Sequence, residues 1–318
     1  MKDSVSVKTM GSRLIVYLVT AGLCGQTSPP ADPAALRPLF EQALAARERE
    51  WGPEHPKVAR SASDLGLFLK AHGDPEGAES ALRRALAIDQ KALGESNRQV
   101  AADRENLAEL LESGGHLDEA VALYRRAAEG SDQAIQARCL GKLAAFEEAR
   151  DALDQAEVLY RKALAAEEAV SGKNGARVAV RLNDLALLME AKDDFRSAEP
   201  LLRQALAIQE KALGPDHPET AVTLNNLASL LLAASRIAQA ESLQRRALQI
   251  LEDKLSPGNP RIATACGNLA DILRAKGDKA SAARFYRRAL SIDEAAYGPQ
   301  YPDLQIYRDK LASLPKGP

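Results

Sequence analysis

Four residue columns recur in step along this chain, and they constrain its fold more than any other feature. Alanine stands at Ala78, Ala120, Ala156, Ala198, Ala240 and Ala282, with spacings of 42, 36, 42, 42 and 42 residues. Seven residues after each stands a second alanine: Ala85, Ala127, Ala163, Ala205, Ala247 and Ala289. Thirteen before each stands a leucine (Leu65, Leu107, Leu143, Leu185, Leu227, Leu269), always followed by a small residue, Gly66 or an alanine. A period of this length marks one supersecondary unit stacked on copies of itself.

Each unit reads as two helices. Apolar residues fall at three- and four-residue spacing in both, the sign of one buried stripe. Short breaks such as "AHGD" (71–74), "SGGH" (113–116) and "KGD" (276–278) supply a helix stop and the next N-cap. Small residues let the helices approach closely, which suits a chain with 46% hydrophobic but only 4% aromatic residues. The ends continue the scheme: residues 36–50 read as a second helix without its first, and residues 300–314 as a first helix without its second. The expected fold is all-α, six helix pairs with two half-unit caps over residues 36–314, one stack with no second domain; residues 315–318 are a short tail.

These columns resemble tetratricopeptide repeats. The 42-residue length, the turn "GPDHP" (214–218), "LNNLA" (224–228) and "AEPLLRQALAIQEKALG" (198–214) are similar to the kinesin-light-chain variety in particular. The resemblance covers about 280 residues. It implies a right-handed superhelical solenoid whose first helices line a concave groove, used to hold peptide segments of partner proteins. It implies binding and not catalysis.

His217 in the "GPDHP" turn invites a catalytic or metal-binding reading, which its own column answers. The equivalent positions hold His55, Asn97, Gly175, Asn259 and Tyr301. Asparagine and glycine are turn formers, and Pro56, Pro218 and Pro260 suit a first helical turn. The histidines are therefore expected to be helix punctuation. Trp51 shares its column with Leu93, Leu213, Leu255 and Tyr297, and is expected to be an apolar plug under a helix end.

Charge gives no case for nucleic acid. Lys and Arg number 42 against 44 Asp and Glu. The basic pairs such as Arg83-Arg84 and Arg245-Arg246 follow glutamates: Glu79, Glu157, Glu199 and Glu241 each precede an arginine by four residues. That order favours ion pairing on a solvated helix face. Cys139 and Cys266 lie three units apart, too far for a disulfide. No phosphate-binding glycine loop, paired-cysteine metal spacing or nucleophile–base constellation is present. No cofactor or metal is expected.

One column suggests where binding happens. Immediately before the repeated leucine stand Asp64, Asn106, Lys142, Asp184, Asn226 and Asn268, and one residue earlier Asn183 and Asn225. Asparagine is a mediocre helix former. Its mid-helix return asks for a role, either capturing the backbone of an extended peptide or bracing neighbouring helices. The resemblance implies that this asparagine faces the concave surface. Groove-facing candidates one and two turns on include Asp271 and Arg274. The lining is mixed and more acidic than basic in the middle, which suits a peptide carrying basic and apolar side chains. In the third unit Lys142 replaces the amide and the period drops to 36, so this copy either divides the groove or is degenerate.

The N-terminus differs from the rest. Residues 1–25 join a basic leader (Lys2, Lys8, Arg13) to an uncharged apolar run, Leu14 to Gly25, too short for the roughly 20 residues of a membrane span. This pattern predicts an export signal cut after Gly22 or Gly25, followed by a flexible junction over 26–35 and a periplasmic or secreted protein. "TAGLC" resembles a lipidation motif at Cys24, although Leu23 is not small. An uncleaved segment and a cytoplasmic adaptor remain the alternative, as does an accessory subunit docked on a globular enzyme.

Overall fold

The computed structural model describes residues 33–314 except Ser131; the leader of residues 1–25, most of the junction and the tail lie outside the described residues. The described chain is helical throughout. A single helix α1 (Pro33–Trp51) precedes six pairs: α2 (Pro56–Ala71) with α3 (Pro75–Leu93), α4 (Arg98–Ser113) with α5 (Leu117–Ala128), α6 (Gln133–Ala149) with α7 (Leu153–Ser171), α8 (Ala176–Ala191) with α9 (Phe195–Ala212), α10 (Pro218–Ala233) with α11 (Ile237–Lys254), and α12 (Pro260–Lys276) with α13 (Lys279–Tyr297). A single helix α14 (Leu304–Ala312) follows. The described residues form two compact units that divide between Ile135 and Gln136, near the start of α6 in the shortened third copy.

Turn chemistry sets the helix ends. His55 and His217 are N-caps, each Nδ1 accepting the backbone N–H two residues on, at 3.2 Å from Lys57 and 3.1 Å from Glu219. Asn97 and Asn259 do the same through Oδ1 at 2.8 and 3.0 Å. Such caps are worth about 0.5–2 kcal/mol relative to alanine. The second helices start on Asp74, Asp194 and Asp278, whose carboxylates accept from Gly77, Ser197 and Ser281. The residue that turns the chain between paired helices is left-handed in every copy: Gly73, Gly115, Asp151, Asp193, Ser235 and Gly277. Three copies spend glycine there and three accept the strain of a side chain.

The repeated columns are the core. The six alanines that open the pattern are all fully buried, and Leu185, Leu227 and Leu269 are too. Gly66 shows why the next position is small: a Cβ there would sit 2.7 Å from Leu82 Cγ of the paired helix. In the second unit two apolar clusters share Leu206 and Leu243, so the core is continuous along the stack.

Trp51 corrects one expectation. It is 42% exposed, and Leu93, Leu213 and Tyr297 are exposed too, so these residues do not plug helix ends, whereas Leu255 in the same column packs against the core. The ring packs on His55 at 4.9 Å, with Lys57 Nζ 3.4 Å from its centroid. Cys139 and Cys266 are buried free thiols, and burial pushes Cys266 up to about 11.

Candidate functional site

First helices and second helices join their successors differently. In the second unit the first helices α8, α10 and α12 touch directly and are tied by short side chains. Asn183 on α8 is buried and donates to Thr223 Oγ1 on α10 at 2.5 Å, while its own Oδ1 accepts from Asn226 Nδ2 at 3.4 Å. One step on, Asn225 Oδ1 accepts from Asn268 Nδ2 on α12 at 2.9 Å. It also accepts from Gln244 Nε2 at 2.7 Å, and the same nitrogen donates to the Ala265 carbonyl at 2.9 Å. An amide ladder thus runs across three first helices.

The second helices are spanned by long side chains. Arg83 reaches Glu119, Arg246 reaches Glu210 at 2.7 Å, and Arg288 reaches Glu252. The four expected Glu-to-Arg pairs on single helices are all formed, at 2.7–2.8 Å. Three of those glutamates also reach the next copy: Glu157 to Lys192, Glu199 to Arg236, and Glu241 to Lys276. Long pairs cross between first helices too, as Arg261 to Glu219 at 2.8 Å. Within the second unit, however, successive first helices approach each other more closely than successive second helices do, so they form the inner row.

The expected site residues fall into three groups. Asn183, Asn225, Asn226 and Asn268 are brought together in the ladder. Asp184 pairs with Arg181 at 2.8 Å, and Asp271 with Lys310 at 2.7 Å and Arg274 at 3.5 Å. Burial raises the Asp184 carboxyl above the usual range, Arg181 opposes this, and Glu148 adds to it. Asn106, on α4 of the first unit, is half-buried and stands outside the ladder; Lys142 on α6 is exposed.

Sequence reading missed a column that fixes the inner row from behind. Four residues after the first alanine stand Leu82, Tyr124, Tyr160, Leu202, Gln244 and Tyr286, all buried. Each tyrosine hydroxyl donates to a carboxylate of its paired first helix: Glu112 at 2.7 Å, Glu148 at 3.0 Å and Asp271 at 2.6 Å. Gln244 does the equivalent with Asn225. The alternation of leucine with hydrogen-bonding residues in one column was the available signal. Its consequence is that these acids are held in place, and burial with the adjacent carboxylate raises the Tyr160 and Tyr286 hydroxyls.

The tetratricopeptide repeat model matches residues 32–91, 68–133, 136–211, 191–253 and 236–295. The chain belongs to the tetratricopeptide repeat family. Solved structures similar to this repeat protein agree on the fold. The anaphase-promoting-complex hetero-tetramer Cut9–Hcn1 aligns at 14% identity and TM-score 0.60, over 86% of this chain and 46% of that one. The type IV pilus biogenesis factor PilW aligns at 18% identity and TM-score 0.56, over 78% and 97%. BtubC (BKLC) from P. vanneervenii is also similar, at 21% identity and TM-score 0.42 over 86% of this chain and 94% of that one, too low a score to bear on the fold. Among curated proteins none matches significantly. Proteins of this family mediate protein–protein interactions. Among the described residues of this repeat protein no helix is long and apolar enough to cross a membrane, and no group of His, Cys, Asp or Glu is placed to hold a metal ion.

Proposed function

We propose that this protein is a non-catalytic scaffold whose inner row of first helices, centred on α10 and α12, binds extended peptide segments of other proteins. The observation that carries the reading is how Asn226 and Asn268 use their amides. Each gives an N–H to the preceding first helix and keeps an Oδ1 that accepts no hydrogen bond among the described residues, on a half-buried face. The ladder therefore holds two acceptors at a fixed spacing, which is what the backbone N–H groups of an extended chain require. Ordering these amides before a ligand arrives removes part of the entropy cost of binding. Glu148 and Asp271, held by tyrosines, extend the same polar lining.

Export is proposed with it, supported by the basic leader and short apolar run of residues 1–25. Mass spectrometry of the mature N-terminus in the native host tests this: a chain starting after Gly22 or Gly25 supports export, and an intact Met1 refutes it.

The binding reading is tested by cross-linking in the native host, with cross-links mapped to residues. Wild type is compared with the variant Asn106→Ala, Asn226→Ala, Asn268→Ala after both are shown to melt alike. Partner segments cross-linked to α10 and α12 in the wild type, and lost in the variant, are expected. Cross-links that persist, or that map to the second helices, would show that the amides are structural only.

A further inference from the structure

The second unit ends in a pocket of about 320 Å³ between α12, α13 and α14, at the small end of the roughly 300–1,000 Å³ seen for ligand sites. We propose that this pocket holds an arginine side chain of the bound segment. The proposal rests on the peptide-binding reading for the source of that arginine, and adds the side chain it selects.

Charge is the first argument. Three carboxylates line the pocket, Asp271 from α12, Asp293 from α13 and Asp303 just before α14, against one cation, Lys310. Lys310 is already spent on Asp271 at 2.7 Å. Asp293 is the decisive group. It is 8% exposed, lines the pocket, and its Oδ1 is buried with no hydrogen-bond partner. Unpaired buried oxygens recur at the equivalent Asp89, Glu167 and Gln209, but Asp293 also lines a pocket, where a cation seated against its carboxylate would offset the cost of burying that charge. Burial and the nearby Asp303 charge raise the Asp293 carboxyl, a strain that a cation relieves.

The walls supply the second argument. Tyr297 and Tyr301 stack with ring centroids 4.5 Å apart, and Tyr307 lies against bare backbone at Gly267, where a Cβ would come within 2.8 Å of its ring. Aromatic faces beside carboxylates attract organic cations. A planar, weakly hydrated guanidinium can stack on a ring and still donate to two carboxylates, which a compact ammonium cannot do as well. The carboxylates do not converge as a metal site, so the space suits a larger cation. The pocket also contains Asn268, the last amide of the ladder, which places it at the end of the proposed peptide face.

The test is a titration of the ¹⁵N-labelled full chain with N-acetyl-arginine amide, followed by amide chemical shifts. Shifts confined to 260–271 and 293–310 are expected, with N-acetyl-citrulline amide, the neutral isostere, binding at least about tenfold more weakly. Asp293→Asn should weaken arginine binding by a similar factor, and Asp303→Asn, at an exposed position, serves if the first variant does not fold. Citrulline binding as well as arginine, variants that fold and bind normally, or shifts scattered over the acidic surface would overturn the proposal. Tighter binding of putrescine than of the arginine amide would assign the pocket to a free diamine instead and would equally overturn it. Because the probe is a single residue derivative, a negative result leaves partner capture standing, and failure of partner capture leaves this titration standing.

Discussion

Replacing Asn225 with alanine should destabilise the second unit by about 2–3 kcal/mol, although the residue is only half-buried. The sum follows from its two donors. Gln244 is fully buried and spends one N–H on Asn225 Oδ1 and the other on the Ala265 carbonyl, while its own Oε1 is already unpaired. Removing the acceptor strands a buried N–H, at about 1–3 kcal/mol. The second donor, Asn268, is half-buried and can turn to water, so its loss adds only about 0.5–1 kcal/mol. Gln244→Leu alone should be close to neutral. Leu82 and Leu202 occupy the same column fully buried, and the change removes an amide that is imperfectly satisfied. Asn225 would keep its bond from Asn268.

The double variant Asn225→Ala, Gln244→Leu should then cost about 0.5–1 kcal/mol, because no buried donor is left behind. The cycle predicts a coupling of about 1–2 kcal/mol between two residues in contact. Urea unfolding followed by far-ultraviolet circular dichroism measures it, with the slope checked for each variant because repeat stacks can lose two-state behaviour. An Asn225→Ala cost below about 0.5 kcal/mol, or strictly additive changes, would refute the claim that the ladder is a structural brace.

Three further outcomes follow from other parts of the molecule. Asp103, buried beside Asp89, is pushed up to about 7 by burial and by the Asp89 charge, against about 3.9 in an unfolded chain. A carboxyl raised in the fold stabilises fully below about pH 4 and loses that contribution as pH rises through about 7; melting from pH 4 to 8 should therefore show Asp103→Asn gaining on the wild type as pH increases. Ser235 turns the chain between α10 and α11 with φ of 60°, so Ser235→Gly should raise stability by about 0.5–1 kcal/mol, read from urea midpoints. Arg246 and Glu210 pair at the surface with about a third of each side chain exposed, so Arg246→Ala should cost only about 0.2–1 kcal/mol, and less in 1 M salt.

The fold was legible because each repeated column has one job in every copy. A fully buried alanine at Ala78 is fully buried at Ala282, and a cap at His55 is a cap at His217. The inner row was legible only as a column of amides, with two possible roles left open. The bracing contacts themselves lie across columns. Asn226 bonds Asn183, and Asn268 bonds Asn225, each pair separated by 43 residues and not 42. Reading one column at a time cannot show a bond that steps diagonally to the next. Trp51 failed for a related reason: its column suggested burial, but the members differ, with Leu255 packed on the core while Trp51, Leu93, Leu213 and Tyr297 are exposed.

The same diagonal explains how one row can brace the stack and still vary the side chains it presents. Two residues before the repeated leucine stand Gly141, Asn183, Asn225 and Gly267 in the second unit, and each faces a residue four before the leucine's place in the next first helix. Where the first is asparagine, its neighbours are the small Thr223 or Ala265, and amides close the gap. Where it is glycine, a large side chain lies across the backbone instead: Arg181 over Gly141 and Tyr307 over Gly267. Volume is conserved across the joint while its chemistry changes, as close packing requires. A large residue laid over glycine can present its far end to the inner face, which is how Tyr307 comes to wall the terminal pocket and Arg181 to meet Asp184. Variation at this joint therefore alters the side chains shown on the inner row without altering how the helices stack, and the peptide-binding reading predicts that exchanging Tyr307 or Arg181 changes the bound segment more than it changes stability.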